Sequence, residues 1–90
     1  MVEMIGRFAL ATAGRDKNRV FIIVGSEGEQ FLYIADGKHR RVEKPKLKKA
    51  KHLRILQEEA PEFARLAKDG TLTNKQAAAA VSCCNTLREE

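Results

Sequence analysis

The sequence predicts a small, mostly β domain that ends in two α-helices. Up to residue 54 the apolar residues alternate or form short runs, as in β-strands, whereas from Leu53 onward they recur every three to four residues, as on one face of a helix. The charge changes at the same point. Residues 1–54 carry thirteen Lys or Arg and six Asp or Glu, a net charge of +7, and residues 55–90 carry four and six, a net charge of −2. We therefore expect a β-barrel over residues 1–54 and a helical extension over residues 55–90, within one compact unit.

Three β-strands are predicted before residue 36, over residues 5–13, 19–24 and 31–35. The first alternates weakly, and the other two, RVFIIV and FLYIA, are rich in β-branched and aromatic residues. The turn-forming segments AGRDKN and GSEGEQ separate them. The second strand is apolar on both faces, so we expect the inside of a small closed barrel to cover one face and the C-terminal segment to cover the other.

A fourth strand is expected over about residues 39–44. The Asp36-Gly37 pair before it favours a tight turn, and Pro45, which has no backbone N–H to donate, is expected to end it. A short fifth strand is expected near residues 51–54.

Two helices are predicted after the strands. The first begins at Pro61, where a missing N–H costs nothing, and ends at Gly70. Thr73 and Gln76 form a capping box that starts the second, which runs through QAAAAVSCCNTL. Two apolar stripes are expected to pack these helices onto the barrel. The stripes consist of Leu56, Ala60, Phe63 and Ala67, and of Ala77, Ala80, Val81, Cys84 and Leu87.

The densest charge lies in residues 36–54, DGKHRRVEKPKLKKAKHLR, with nine Lys or Arg, two His and two acids. A surface that only keeps a protein soluble intersperses both signs, because like charges repel. This density indicates a polyanionic partner, and nucleic acid fits best. The alternatives are a solvated lysine-rich surface and an anionic membrane. Membrane-surface segments are usually amphipathic helices with bulky apolar residues beside the charge, and Pro45 argues against such a helix, so we expect no membrane partner.

The basic segment contains no aromatic residue. The aromatic side chains Phe8, Phe21, Phe31 and Tyr33 fall in predicted strands, where packing in the core is their expected role. RNA-binding proteins that splay out bases use exposed aromatic side chains. We therefore expect Lys and Arg to contact phosphate and sugar, and to recognise shape more than sequence.

Patterns that would indicate catalysis or metal binding are missing from the sequence. It contains no nucleophile elbow, phosphate-binding glycine loop or His-Glu metal motif. His39 and His52 have no Cys or acid at ligand spacing. The adjacent Cys83 and Cys84 point in different directions on a helix, which argues against a disulfide bond between them. We expect no enzyme activity, no catalytic residue, no cofactor and no metal.

No apolar run approaches the roughly 18 residues that span a bilayer. The N-terminal MVEMIGRFAL lacks the basic region and the long apolar core of a signal peptide. We therefore expect a cytoplasmic protein, and we expect it to be a monomer.

Residues 4–30, MIGRFALATAGRDKNRVFIIVGSEGEQ, resemble a KOW motif, an alternating apolar and polar stretch around a characteristic glycine, here Gly14. The continuation YIADGKHRRVEKPKLKKAKHL makes the resemblance more specific. Its AGRD turn, DGK turn and PK-x-KK-x-KHL ending resemble small RNA-binding proteins related to ribosomal protein fourteen of the eukaryotic and archaeal large subunit. The resemblance covers residues 4–53.

This resemblance implies an SH3-like β-barrel and RNA binding in translation, usually on the ribosome. It implies RNA contact by the loop at residues 14–18, and we carry it over to residues 46–52 as well. Gly14 and Asp16 also fit purely structural roles, through backbone angles and turn formation. Together with the basic segment, the expected RNA-binding residues are Arg15, Lys17, Arg19, Lys38, Arg40, Arg41, Lys46, Lys48, Lys49, Lys51 and His52.

Ribosomal RNA is the expected partner, with ribosomal proteins as further ones, and both a stable ribosomal protein and a transient or regulatory factor remain open. A second class of function is a protein-interaction module in transcription or translation regulation, because KOW-type barrels of transcription elongation factors also bind proteins. Salt distinguishes the two classes: RNA binding weakens steeply as salt rises, whereas an apolar helix interface does not.

Overall fold

The structure is a computed structural model that describes residues 2–89. A five-stranded antiparallel sheet is followed by two α-helices. The strands are β1 (Phe8–Ala11), β2 (Val20–Glu27), β3 (Phe31–Ala35), β4 (Lys46–Lys49) and β5 (Leu53–Ile55), and the helices are α1 (Pro61–Asp69) and α2 (Asn74–Arg88). Short 3-10 turns lie at Val2–Met4 and Ala50–His52. The strand order is β4-β3-β2-β1-β5, so that β4 and β5, which one 3-10 turn connects, are the outer strands.

The first three strands lie where the sequence predicts them. β3 has the predicted bounds, whereas β1 and β2 differ from the prediction in length. β1 starts only at Phe8, whereas β2 continues to Glu27, beyond the glycine that was expected to end it. A β-bulge between Ile23 and Gly25 shifts the register, and the pairing with β3 continues beyond it to Glu27. Gly25 fits this bulge because a Cβ atom there would lie 3.3 Å from the ring of Tyr33.

The fourth strand expected over residues 39–44 is wrong. That segment forms turns, and β4 begins only after Pro45. The reason is the Asp36 side chain, whose Oδ1 accepts hydrogen bonds from the backbone N–H groups of Lys38 (2.9 Å) and Arg40 (2.8 Å) and so holds the chain in a compact turn. Proline is tolerated just before a strand, since its missing N–H breaks no ladder bond there. The fifth strand also starts two residues later than expected, because a 3-10 turn takes up its first part.

Apolar side chains are buried on both faces of the sheet. One face forms the inner core, whose buried members are Ala9, Ala11, Phe21, Ile23, Leu32, Ile34 and Leu53. The other face forms the helix-side core, in which Phe8, Val20 and Ile22 pack against Leu56, Ala60, Ala67, Leu72, Ala77, Ala80 and Cys84. The helical segment therefore covers the face of β2 that the inner core leaves open.

The helix boundaries follow the local signals in the sequence. α1 begins at Pro61, and Gly70 ends it in the left-handed region with φ 73°. The Thr73 side chain accepts from the backbone N–H of Gln76 (3.2 Å), and the Gln76 side chain accepts from the N–H of Thr73 (2.9 Å), which completes the predicted capping box. In the apolar stripe of α2, Ala77, Ala80 and Cys84 are buried, Val81 is partly buried, and Leu87 at the end is 42% exposed. Among residues 2–89, no helix is long and apolar enough to cross a membrane.

The two cysteines differ in environment. Both thiols are free, with Cys83 exposed and Cys84 buried in the helix-side core. Burial raises the pKa of the Cys84 thiol to about 11, so this group stays protonated at neutral pH and acts as a small apolar side chain.

Candidate nucleic-acid interface

The β1–β2 loop, residues 12–19, is a tightly turned segment. Gly14 (φ 81°) and Asn18 (φ 72°) both adopt left-handed backbone conformations, and the N–H of Lys17 donates to the carbonyl of Gly14 at 3.2 Å. The side chains of Arg15 and Lys17 are exposed. Neither has a hydrogen bond or ion pair with any group in the described part of the chain, so both are available to a ligand.

Asp16 occupies the centre of this loop and is only 3% exposed. Its Oδ2 accepts hydrogen bonds from Nε (3.1 Å) and Nη2 (2.9 Å) of Arg40, which lies in the β3–β4 loop, residues 36–45. Arg19 adds a longer ion pair, with its Nη1 3.8 Å from the Asp16 Oδ1. A buried carboxylate requires such partners, because burying an unpaired charge is costly. Arg40 therefore joins the two loops, and its charge is matched inside the protein.

Lys48 joins β4 to the same loop. Its Nζ donates a hydrogen bond to the backbone carbonyl of Ala13 at 2.9 Å. Gly14 leaves room for this contact, because a Cβ atom there would lie only 2.9 Å from the Lys48 Nζ. Glycine is thus favoured at this position both by its positive φ and by the approach of the lysine.

The β3–β4 loop is held on its other side by Asn74, the first residue of α2. The Asn74 Oδ1 accepts from the backbone N–H of Val42 (2.8 Å), and its Nδ2 donates to both carboxylate oxygens of Glu43 (2.8 and 3.1 Å). The Nε of Arg41 donates to the same carboxylate at 2.7 Å. The hydrogen bonds from Asn74 and Arg41 lower the pKa of the Glu43 carboxyl to about 2. Arg41 is therefore paired within the protein, although it is exposed.

The eleven predicted contact residues thus have different surroundings. Four engage an acid or a carbonyl of the protein: Arg19, Arg40, Arg41 and Lys48. Six have exposed side chains with no hydrogen bond or ion pair among residues 2–89: Arg15, Lys17, Lys38, Lys46, Lys49 and Lys51. His52 is half-buried, and its carbonyl accepts from the N–H of Thr12 at 2.9 Å. Sequence reasoning missed Lys44, which is exposed and unpaired in the β3–β4 loop and whose place in the basic segment was the available signal.

The four aromatic side chains of the strands also differ from one another in burial. Phe8 and Phe21 are fully buried, as predicted. Phe31 and Tyr33 are only partly buried, and the antiparallel register of β3 and β4 places them opposite Lys49 and Leu47. The expectation that all four pack in the core is therefore wrong for these two, which lie on the strand next to the outer strand β4, near the margin of the sheet.

The bonds Asp16–Arg40 and Lys48–Ala13 connect the β1–β2 loop, the β3–β4 loop and β4, which we call together the basic surface. Its six unpaired cations are Arg15, Lys17, Lys38, Lys44, Lys46 and Lys49, and Lys51 follows in the 3-10 turn after β4. The six extend from one connected framework, which suits them to neutralise a row of phosphates. Within residues 2–89, no three His, Cys, Asp or Glu side chains are grouped so that they could hold a metal ion.

The neighbours Arg40 and Arg41 are expected to differ in their effect on stability. Arg40→Ala leaves the buried Asp16 carboxylate without its main partner, so we expect the free energy of unfolding to fall by about 1–3 kcal/mol. Arg41→Ala removes one exposed ion pair and should change it by less than about 1 kcal/mol. Urea unfolding of the two variants measures the difference, and equal values would mean that Arg40 has no structural role.

The basic surface is therefore described by the charges and hydrogen bonds of this chain alone. No model of a known protein family and no curated protein sequence matches this chain.

Proposed function

We propose that the protein binds structured RNA, and that the basic surface contacts the RNA backbone. The observation that carries this proposal is the set of six exposed Lys and Arg side chains without an internal partner, on three segments that hydrogen bonds join together. Cations fixed near one another repel, and a polyanion relieves that repulsion. The phosphates of a nucleic acid supply such a ligand.

Recognition by shape follows from the same arrangement. Phosphate contacts set the position and orientation of a nucleic acid but carry no sequence information. Phe8 and Phe21 are buried on the two faces of the sheet, so of the four strand aromatics only the partly buried Phe31 and Tyr33 have exposed area for stacking on a base. We therefore propose binding that depends on the fold of the RNA more than on its sequence.

The resemblance to KOW proteins supports RNA over DNA and suggests the wider setting. We propose that the sheet curls into an SH3-like barrel, with the inner core inside it. In support, the outer strands β4 and β5 are connected by a single 3-10 turn, which keeps the two edges of the sheet near each other. By the same resemblance, we propose ribosomal RNA as the ligand and the cytoplasm as the location.

A protein-interaction role is the second candidate. Its support is the exposure of Leu47 (36%) on β4 and Leu87 (42%) on α2, the large apolar side chains that residues 2–89 leave exposed. An apolar interface at either leucine would respond weakly to salt, in contrast to phosphate binding.

A salt titration tests the RNA proposal. If about six phosphates are neutralised, log K should fall with log salt with a slope of about −4 to −6. Fluorescence anisotropy with a labelled RNA hairpin measures this slope, and a hairpin of the same shape with a permuted sequence is the control, for which we expect equal affinity. A flat salt response, or no binding at low salt, would rule the proposal out.

A further inference from the structure

The β3–β4 loop contacts α2 at two separate points. Near its end, Val42 and Glu43 hydrogen-bond to the amide of Asn74. Near its start, Gly37 (φ 79°) lies directly on the first turn of α2. A Cβ atom at Gly37 would overlap the carbonyl oxygen of Asn74 and lie 2.9 Å from the backbone nitrogen of Ala78. The helix therefore fixes the loop on both sides of its most basic part.

The loop presents two of the exposed, unpaired cations, Lys38 and Lys44. A loop without fixed contacts has to be ordered when it binds a ligand, and this ordering costs conformational entropy for each backbone residue that becomes fixed. A loop already held in one arrangement avoids part of that cost, which increases affinity. Contacts that hold this loop therefore act on ligand binding without touching the ligand.

An amide side chain at residue 74 is suited to holding the β3–β4 loop, because it can donate and accept hydrogen bonds at the same time. The Asn74 amide presents both an acceptor, to the Val42 N–H, and a donor, to the Glu43 carboxylate. The bond from Asn74 is the first cause of the lowered pKa of Glu43, so the carboxylate stays ionised and keeps this contact at all physiological pH values. An ionised Asp has no donor for Glu43, and a Ser or Thr hydroxyl has a single hydrogen, so none of these residues reproduces the two bonds from the Asn74 Nδ2 to the Glu43 carboxylate.

We propose that the start of α2 supports the RNA interface from behind and that Asn74 is a positioning residue, which holds Lys38 and Lys44 in the arrangement that binds phosphate. This inference rests on the proposed RNA binding. It makes the affinity for RNA depend on a helix that begins twenty residues after the last residue of the basic segment, Arg54.

The variant Asn74→Asp tests the inference. It keeps an oxygen for the Val42 N–H and a residue that is favourable at the start of a helix, but it places a carboxylate against that of Glu43. The matched control is Gln57→Glu, the same change of amide to acid at an exposed side chain after β5, outside the three segments of the basic surface. We expect Asn74→Asp to weaken binding of the RNA hairpin about five- to tenfold more than the control does.

Two further measurements separate positioning from a general loss of structure. The salt slope should become less steep by about one to two units in Asn74→Asp and stay unchanged in Gln57→Glu, because each phosphate contact contributes about one unit. The amide proton of Val42 should exchange faster with solvent in Asn74→Asp, while amides of the inner core keep their protection. Asn74→Ala, with Gln57→Ala as its control, repeats the test without adding a charge.

The outcomes distinguish this inference from the proposed function. If the unmodified protein binds the hairpin and both Asn74 variants keep its affinity and its salt slope, the inference is wrong and RNA binding stands. If the unmodified protein does not bind at low salt, both are wrong. If the Gln57 controls lose as much affinity as the Asn74 variants, the effect is one of net charge or composition, and the inference is again wrong.

Discussion

Removal of residues 55–90 is expected to leave a chain that is largely unfolded at 25 °C and that shows no cooperative transition on heating. Seven of the ten buried residues of the helix-side core come from this segment, and without them Phe8, Val20 and Ile22 lose their cover. Burial of each such side chain contributes roughly 1.5–3 kcal/mol, and small domains have only about 5–15 kcal/mol in total. The shortened chain should also aggregate, because it exposes a contiguous apolar patch.

Thermal melts followed by circular dichroism, with sedimentation of the same samples, measure this effect. A matched pair in the full chain tests the cause. Ala80→Asp places a carboxylate in the helix-side core and should unfold the protein in the same way, whereas Ala79→Asp, at an exposed position one residue earlier, should melt near the temperature of the unmodified protein. A shortened chain that keeps its melting temperature and loses only self-association would show instead that the helices pair two copies of the protein.

The triple substitution of Lys46, Lys49 and Lys51 by Ala is expected to weaken RNA binding on the order of a hundredfold at 0.1 M salt and to make the salt slope less steep by about three units. All three side chains are exposed and unpaired on or next to β4. Stability should change little, since exposed substitutions usually shift it by about 0.5 kcal/mol or less. Lys48 is left in place because it holds the β1–β2 loop.

The matched control is the triple substitution of Arg65, Lys68 and Arg88 by Ala. These cations are also exposed and unpaired among the described residues, but they lie on α1 and α2. Both variants lose three positive charges, so they differ only in where the charge lay. Equal losses of affinity would show that net charge, and not the basic surface, attracts the RNA.

Local signals made the helices predictable from the sequence. Pro61, Gly70 and the Thr73–Gln76 capping box act through hydrogen bonds within a few residues, so the sequence carries the whole cause. The prediction of a strand over residues 39–44 was wrong for a related reason. Its residues are compatible with a strand, but Asp36 offers their backbone a competing set of hydrogen bonds, and β-propensity is too weak to overcome it.

The roles of the basic residues were less predictable. Arg40 and Lys48 are as basic as their neighbours in the sequence, and nothing local shows that they are paired. Their partners lie far away in the chain: Arg40 reaches Asp16, and Lys48 reaches Ala13. The sequence therefore indicates the segment that carries the charge, while the tertiary contacts decide which charges remain free for a ligand.

The lysines of β4 have a consequence for solubility. β4 is an outer strand, and its free edge offers backbone groups that a second chain could pair with. Lys46, Lys48 and Lys49 occupy three of its four positions and oppose such pairing, since two copies would bring like charges together. A polyanion that neutralises these lysines removes this protection. If the protein binds RNA as proposed, we expect it to self-associate most readily near charge balance with the RNA and to stay dispersed in an excess of either component.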